Sequence, residues 1–432
     1  MDFTVRATVM QTPTRGTFTT LEDARIRVVD GTIVAISNTG EADVTLPPDH
    51  VLVPGFIDLH IHAPQWPQLG TGYDLPLSEW LFEHTFPLEA RFDDLPFAQQ
   101  TWEDMVPALL AHGTTTAVYY GSIHTPATTA LAEACIHHGQ RAWVGRAAMD
   151  HPEGTPEWYR DDDADTALAA TRESIAQIGA LDDPHNLVHP IITPRFIPAC
   201  TDELLTGLGA LAAETGIIVQ THCSEDDWEH HHVIERTGQR DTDALDSFGL
   251  LRPSTVLGHG VHLNAEDFAT IRDRGAGVAH CPLSNVYFGN AVFPAAQALD
   301  AGVHVGLGTD VAGGPSASVL ANAARAVDSS RMLEDGVDAS ASPAERGVQG
   351  SRIDAFTAFW LATMGGGSVL DEPLGLIEEG RRFDAVAVSL AELAPSTAGY
   401  TPERRFEQLV RLAGRREITD VWVDGRQVIG DL

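Results

Sequence analysis

Between Val51 and about Asp310 the chain repeats one unit: an apolar run, a polar residue where that run stops, then an Ala/Leu/Glu-rich stretch with helical spacing. The runs are VLVPGFIDLHIH, TTTAVYYG, RAWVGRAAMD, LVHPIITPRF, IIVQTHC, TVLGHG, GAGVAHCP and VHVGLGTD. Asp202–Thr215 and Ala265–Arg274 are two of the intervening helical stretches. Eight strand candidates alternating with helices predict an α/β fold, a closed (β/α)8 TIM-type barrel in preference to an open sheet. No short repeat period is present, which argues against a solenoid.

The two ends of the chain follow a different pattern. Residues 4–10, 24–36 and 43–47 alternate apolar and polar around turns such as Asp30-Gly31. Phe383–Val388 and Ile418–Ile429, with Asp424-Gly425 between apolar runs, do the same. The two ends are expected to pair into a small composite β-sandwich domain. The expected division is 1–53 and 378–432 for that domain and 54–377 for the barrel. The acidic run Asp161–Asp165 and the stretch Asp335–Gly350 read as solvated loops.

In a barrel of this kind, chemistry gathers at the carboxyl ends of the strands. Side chains two apart on a strand point the same way, so His60 and His62 at the end of the first run are placed to share a metal ion. His222 ends the fifth run, His259 the sixth, His280 the seventh and Asp310 the eighth. Any one of these could be a satisfied core or surface residue, and for His280 and His124 that reading is as good as the functional one. Together they suggest a catalytic zinc or iron that lowers the pKa of a bound water. The His-x-Glu and Pro-Cys-x-x-Cys pattern of cytidine-type zinc deaminases is absent. Glu225 in THCSE reads equally well as a proton shuttle beside the metal or as a first-turn helix acid favoured by the dipole. Three sequential histidines on a helix diverge, so Glu229-His230-His231-His232 reads as a solvated face.

Composition narrows the function. The 432 residues are ample for one large domain with a smaller appendage. A net charge of −34 repels phosphate backbones and anionic membranes, so neither nucleic acid nor a membrane is an expected partner. Every basic residue is arginine. That fits biased codon usage better than salt adaptation, and it excludes a Schiff-base lysine, a lysine base and a carbamylated-lysine metal bridge. Cys135, Cys200, Cys223 and Cys281 are widely spaced, without a Cys-x-x-Cys pair. They fit a reducing compartment, and with no signal-like opening or bilayer-length apolar run the expected location is cytoplasmic.

PGFIDLHIH, THCSE, the His259-Gly260 pair, AHCPLSN and GLGTD resemble the amidohydrolase superfamily. Within it, the segment HIHAPQWPQLGTGYDLPLSEWLFEHTFP is similar to the guanine deaminase family. GQRAWVG with Met149-Asp150, PRFIPACT and GTDVAGG with Ser316 and Ser318 support that similarity. The resemblance spans nearly the whole chain. It implies a homodimer with one Zn2+ per chain, or Fe2+, held by His60, His62, His222 and Asp310. His259 would hold the hydrolytic water. Glu225, His259 and Asp310 would be catalytic, with Glu225 as proton shuttle in the hydrolytic deamination of guanine to xanthine and ammonia.

The purine substrate would meet Gln65, Arg195 and Phe196 besides His62, His222, Glu225 and Asp310. An amide and a guanidinium offer in-plane hydrogen bonds, and an aromatic offers a stacking face. Trp80 and Phe86 read as packing residues. Trp66, His84 and Asp226 depart from the family pattern and could reshape the pocket rim. The alternatives are an aminohydrolase of a pterin, another aminopurine or a triazine, a cyclic-amide hydrolase, and a non-catalytic metal-binding scaffold. The missing lysine disfavours the dinuclear cyclic-amide case.

Overall fold

The computed structural model describes residues 1–289, 291–391, 393 and 399–430. Of the expected C-terminal β-segment, residues 392, 394–398 and 431–432 lie outside the described residues.

The first apolar run divides at Gly55. His50–Pro54 pairs with strands of the chain ends, and Phe56–His62 opens the central fold. Parallel pairing then runs from Phe56–His62 to Thr114–Tyr120, Arg141–Gly145 and Val188–Pro190. Every residue of the first three of these strands is buried. A second parallel set joins Gln220–Cys223, Val256–His259, Gly277–His280 and His304–Leu307 in sequence order. The helices Asp202–Thr215 and Ala265–Arg274 form where the spacing predicts them. Thr201 caps the first by accepting from the Leu204 amide, and Asn264 with Asp267 forms a capping box on the second.

The third and fourth runs are each interrupted. Ala147–Ala148 and Thr193–Pro194 form their own parallel pair beyond Arg146 and Ile191-Ile192. At the seams, Ile192 bridges Val219 and Ile61 bridges Val311, both in the parallel sense. The Asp310 amide donates to the His60 carbonyl at 2.8 Å and the His62 amide to the Val311 carbonyl at 2.7 Å. The architecture is a TIM-barrel-type α/β fold.

The chain ends meet as anticipated from their alternation. A single sheet of eight strands contains Asp2–Thr14, Thr17–Val29, Thr32–Ser37, Val44–Thr45 and His50–Pro54 from one end. Ala385–Ser389, Ile418–Val423 and Arg426–Ile429 come from the other, and Ala385–Ser389 pairs antiparallel with His50–Pro54. Asp30-Gly31 and Asp424-Gly425 all have positive φ, the two-residue turn that the twist of a hairpin favours.

Charge is buried where this sheet meets the parallel strands. Arg141 donates through Nε and Nη2 to the two oxygens of Asp384, each at 3.2 Å, and Asp384 also accepts from the Asp424 amide at 2.7 Å. The acidic run at 161–165 is not wholly solvated either. Asp161 is buried because Arg146, pointing inward at the strand interruption, pairs with it, and Asp163 caps the helix Ala164–Gly179. Among the described residues no helix is long and apolar enough to cross a membrane.

Removing one partner of a buried ion pair strands the other charge in a medium that solvates it poorly. Arg141 keeps the buried Asp424 carboxylate at 3.6 Å, so Asp384→Asn is expected to lower unfolding stability by about 1–3 kcal/mol in a denaturant titration. A loss below about 1 kcal/mol, the range of an exposed pair, would contradict this.

Candidate active site

His60 and His62 leave their strand on the same side, with ring centroids 5.1 Å apart. Close approach of neighbouring backbone makes room for His60. A Cβ at Gly258 would meet its ring at 2.8 Å, and one at Gly308 would meet its Cβ at 2.7 Å. His222 is the next-to-last residue of its strand, and its Nδ1 faces the Arg195 carbonyl at 2.6 Å. Donation from Nδ1–H to that carbonyl leaves the Nε2 lone pair free. His62 Nε2 and His222 Nε2 lie 2.9 Å apart. Asp310 Oδ1 lies 3.4 Å from His60 Nε2 and 3.6 Å from His62 Nε2. The chain turns sharply where these groups are presented, since His259, Asp310 and Ser224 all have positive φ.

The donor set fits a metal ion. His60 is fully buried, yet neither of its ring nitrogens has a hydrogen-bond partner. A buried imidazole left in that state is costly unless something else takes its lone pair. Burial first, and then the neighbouring imidazoles, hold His62 and His222 well below the ordinary imidazole pKa, so both are neutral bases. The ligand atoms of His60, His62 and His222 lie within 4.8 Å of one another, as do those of His60, His259 and Asp310. Imidazole nitrogens with one carboxylate oxygen and no thiolate suit zinc or iron.

Two carboxyl groups beside these histidines are driven apart. Burial, and then the charges of Asp310, Glu229 and Asp226, push Glu225 well above the usual carboxyl range. Burial also opposes ionisation of Asp310, but the close His60 and His259 rings hold it below that range. Neighbouring carboxyls with opposite shifts suit an acid and a base acting together. His259 Nε2 stands 3.6 Å from Glu225 Oε1 and 4.0 Å from Asp310 Oδ2. Its Nδ1 faces Asn285 Oδ1 at 3.0 Å, and burial brings its pKa down to about 4.

A cavity of about 340 Å³ opens above the cluster. His62, His222, Glu225 and Asp310 line it together with Gln65, Arg195 and Phe196, so these anticipated contact residues share one space. His60 and His259 belong to the cluster but do not line the cavity. Leu77, Trp80, Leu81, Phe288 and Gly313 complete the walls. Trp80 is thus a wall of the cavity and not only packing, because the short helix Leu77–Trp80 turns its last residue inward. Phe86 stays behind the wall, 5.0 Å beneath the Arg195 guanidinium.

Several readings of single residues change. The helix after THCSE begins at Asp227 with Asp226 as its cap, so Glu225 precedes it and is not a first-turn acid. Glu229 and His230 are buried, not solvated, and His230 lies beside Asp241 and stacks on His262. Glu229 accepts from the Glu225 amide at 2.6 Å. His231 is the exposed member of that run. His280 is buried against Phe293, His124 lies beside Asp93 and Tyr159, and neither lines the cavity. Trp66 donates to Asp104 at 2.8 Å and His84 is exposed, so neither forms the cavity wall.

Three further buried residues support the site. Asp58 accepts from the Thr309 amide and hydroxyl at 2.9 and 2.6 Å, tying the first strand to the segment that presents Asp310. A carboxylate within the apolar run FIDLHIH was a readable signal. Asn285 orients His259 from the end of AHCPLSN. Glu89, behind Gln65 and Arg195, carried no signal in the sequence.

Comparison with known proteins agrees with this geometry. Residues 51–428 match the Amidohydrolase family. A probable guanine deaminase of Schizosaccharomyces pombe is 37% identical over 89% of this chain and 72% of its own length. The guanine deaminase of Homo sapiens is 34% identical over 87% of this chain and 82% of its own length. The crystal structure of guanine deaminase from C. acetobutylicum, with guanine bound in its active site, has a TM-score of 0.89 and 30% identity, covering 99% of this chain and 100% of that one. The E. coli guanine deaminase structure has a TM-score of 0.87 and 26% identity, covering 100% of each chain. The chain belongs to the amidohydrolase family, among the guanine deaminases, hydrolases that act on a C–N bond.

Proposed function

We propose that the protein converts guanine and water to xanthine and ammonia, using one zinc ion per chain held by His60, His62, His222 and Asp310. Iron(II) is the other ion this donor set suits. The observation that carries the proposal is a single cavity with two chemical ends. One offers neutral imidazoles and two carboxyls of opposite pKa shift, and the other a planar amide and guanidinium beside the Phe196 ring. When bound, the ion supplies Lewis acidity that brings the pKa of a water toward neutrality.

The protein's own groups do the rest. Gln65 and Arg195 hold the polar edge of the ring, while Phe196 packs on the purine. Asp310, the ionised carboxyl, takes a proton from the attacking water. His259 orients that water, and its own orientation is set by Asn285. Glu225 gives its proton to the ring nitrogen next to the attacked carbon; the proton held by Asp310 then passes to the departing amino group, and Glu225 is reprotonated by the new hydroxyl as that group becomes the carbonyl. Burial of every one of these side chains keeps bulk water from competing for the transferred protons.

The same reading takes residues 54–377 as a closed barrel and 1–53 with 378–432 as a composite β-sandwich domain. It also takes the working protein as a cytoplasmic homodimer.

The direct test follows guanine absorbance and ammonia release before and after chelation and zinc repletion. Both signals should vanish with the metal and return with it. A metal-loaded protein that leaves guanine unchanged would overturn the assigned substrate. Glu225→Gln should retain zinc and lose about 10²–10⁴ in turnover, the range for a removed general acid–base. Turnover close to wild type in that variant would remove Glu225 from the reaction.

A further inference from the structure

Glu89 stands behind the ring-binding end of the cavity without lining it. Its carboxylate is 1% exposed and accepts from both terminal nitrogens of Arg195, at 2.5 and 3.0 Å. It also accepts from Gln65 Nε2 at 2.9 Å and from the Tyr159 hydroxyl at 3.0 Å. Every one of these partners is itself buried. The Ala312 amide donates to Gln65 Oε1 at 3.3 Å, so both ends of that amide have defined partners.

An unpaired guanidinium at the end of a dry cavity is a trap for anions. Paired in fork geometry with a carboxylate, it retains directional donors but loses most of its net attraction for a negative ring. The difference matters for the reaction proposed above, on which this inference rests. Exchanging the amino-amidine of the substrate for a second carbonyl and its N–H gives a more acidic ring, so the product ionises more readily than the substrate. The other charged side chains lining the cavity, Glu225 and Asp310, belong to the histidine cluster and are already used there.

We infer that Glu89 is a positioning residue that sets specificity through Arg195: it neutralises the ring-binding end so that the cavity selects a neutral lactam ring and releases an anionic product. It does this while fixing the planes of both the guanidinium and the Gln65 amide. The Tyr159 hydroxyl and the Phe86 ring, 5.0 Å from the guanidinium, hold the pair from behind.

The test compares zinc-loaded wild type, Glu89→Gln, Glu89→Asp and the Glu89→Gln/Arg195→Gln double variant. Calorimetry at mildly alkaline pH measures binding of neutral hypoxanthine and of the xanthine monoanion, alongside guanine kinetics. Glu89→Gln should shift the affinity ratio toward the anion by about tenfold or more, the scale of a close charge interaction in a desolvated site. It should raise KM for guanine more than it lowers kcat. Glu89→Asp and the double variant, each without the charge imbalance, should return the ratio toward wild type.

Equal weakening of both ligands, or an unchanged ratio, would overturn the inference and leave Glu89 a structural residue. If Glu89→Gln does not fold, Arg195→Gln alone decides the matter. With Glu89 unbalanced it must disfavour the anion more than wild type does, and an unshifted ratio refutes the charge account. A wild type that binds both rings but does not turn over guanine sinks the assigned reaction, while the binding ratios still judge Glu89.

Discussion

The structure depends on a convergence that would be unfavourable if it served only folding. Three imidazoles and a carboxylate from the first, fifth and eighth runs are driven into one buried point, and His60 keeps two ring nitrogens without hydrogen-bond partners. Leaving a buried polar atom unpaired costs about 1–3 kcal/mol, a large fraction of a domain's net stability. The surrounding architecture keeps that arrangement in place. Gly258 and Gly308 leave room for the His60 ring, Asp58 ties the first strand to Thr309, and the Arg195 carbonyl fixes His222. A cation bound there would take the free ring nitrogens as ligands.

From that point the chemistry spreads in two directions. Toward the helix at Asp227–Thr237, burial and then the neighbouring carboxyls push Glu225 up, while the imidazoles keep Asp310 down. Toward the ring-binding end, charge is balanced: Glu89 meets Arg195 and Gln65 before any substrate arrives. The cavity thus has one end of unequal acids and another of charge-balanced donors. In the proposed reaction, proton transfer and substrate selectivity would fall to different residues.

The parallel strands were legible in the sequence because burial on both faces makes them continuous apolar runs, and their polar stops mark the mouth. His60, His62, His222, His259, His280 and Asp310 could be placed at run ends for that reason, though not sorted by role. Within the first run the strand break at Gly55 has no hydropathy signal of its own, since strands of two different sheets are equally apolar there. Glu225 was ambiguous because its burial depends on where the following helix begins, which Asp226 decides as its cap. Trp80, Glu229 and Glu89 were misread or missed because their roles arise from neighbours remote in the chain, or from which face of a short helix turns inward. No local pattern marks a carboxylate whose partners lie at Gln65, Tyr159 and Arg195.

X-ray absorption on the zinc-loaded protein would read the ligand shell of an imidazole–carboxylate centre at the strand ends. Three imidazole nitrogens at about 2.0–2.1 Å are expected, with oxygen completing the shell and no sulfur. A spectrum with a zinc–sulfur distance near 2.3 Å, or with fewer than two imidazoles, would contradict such a centre.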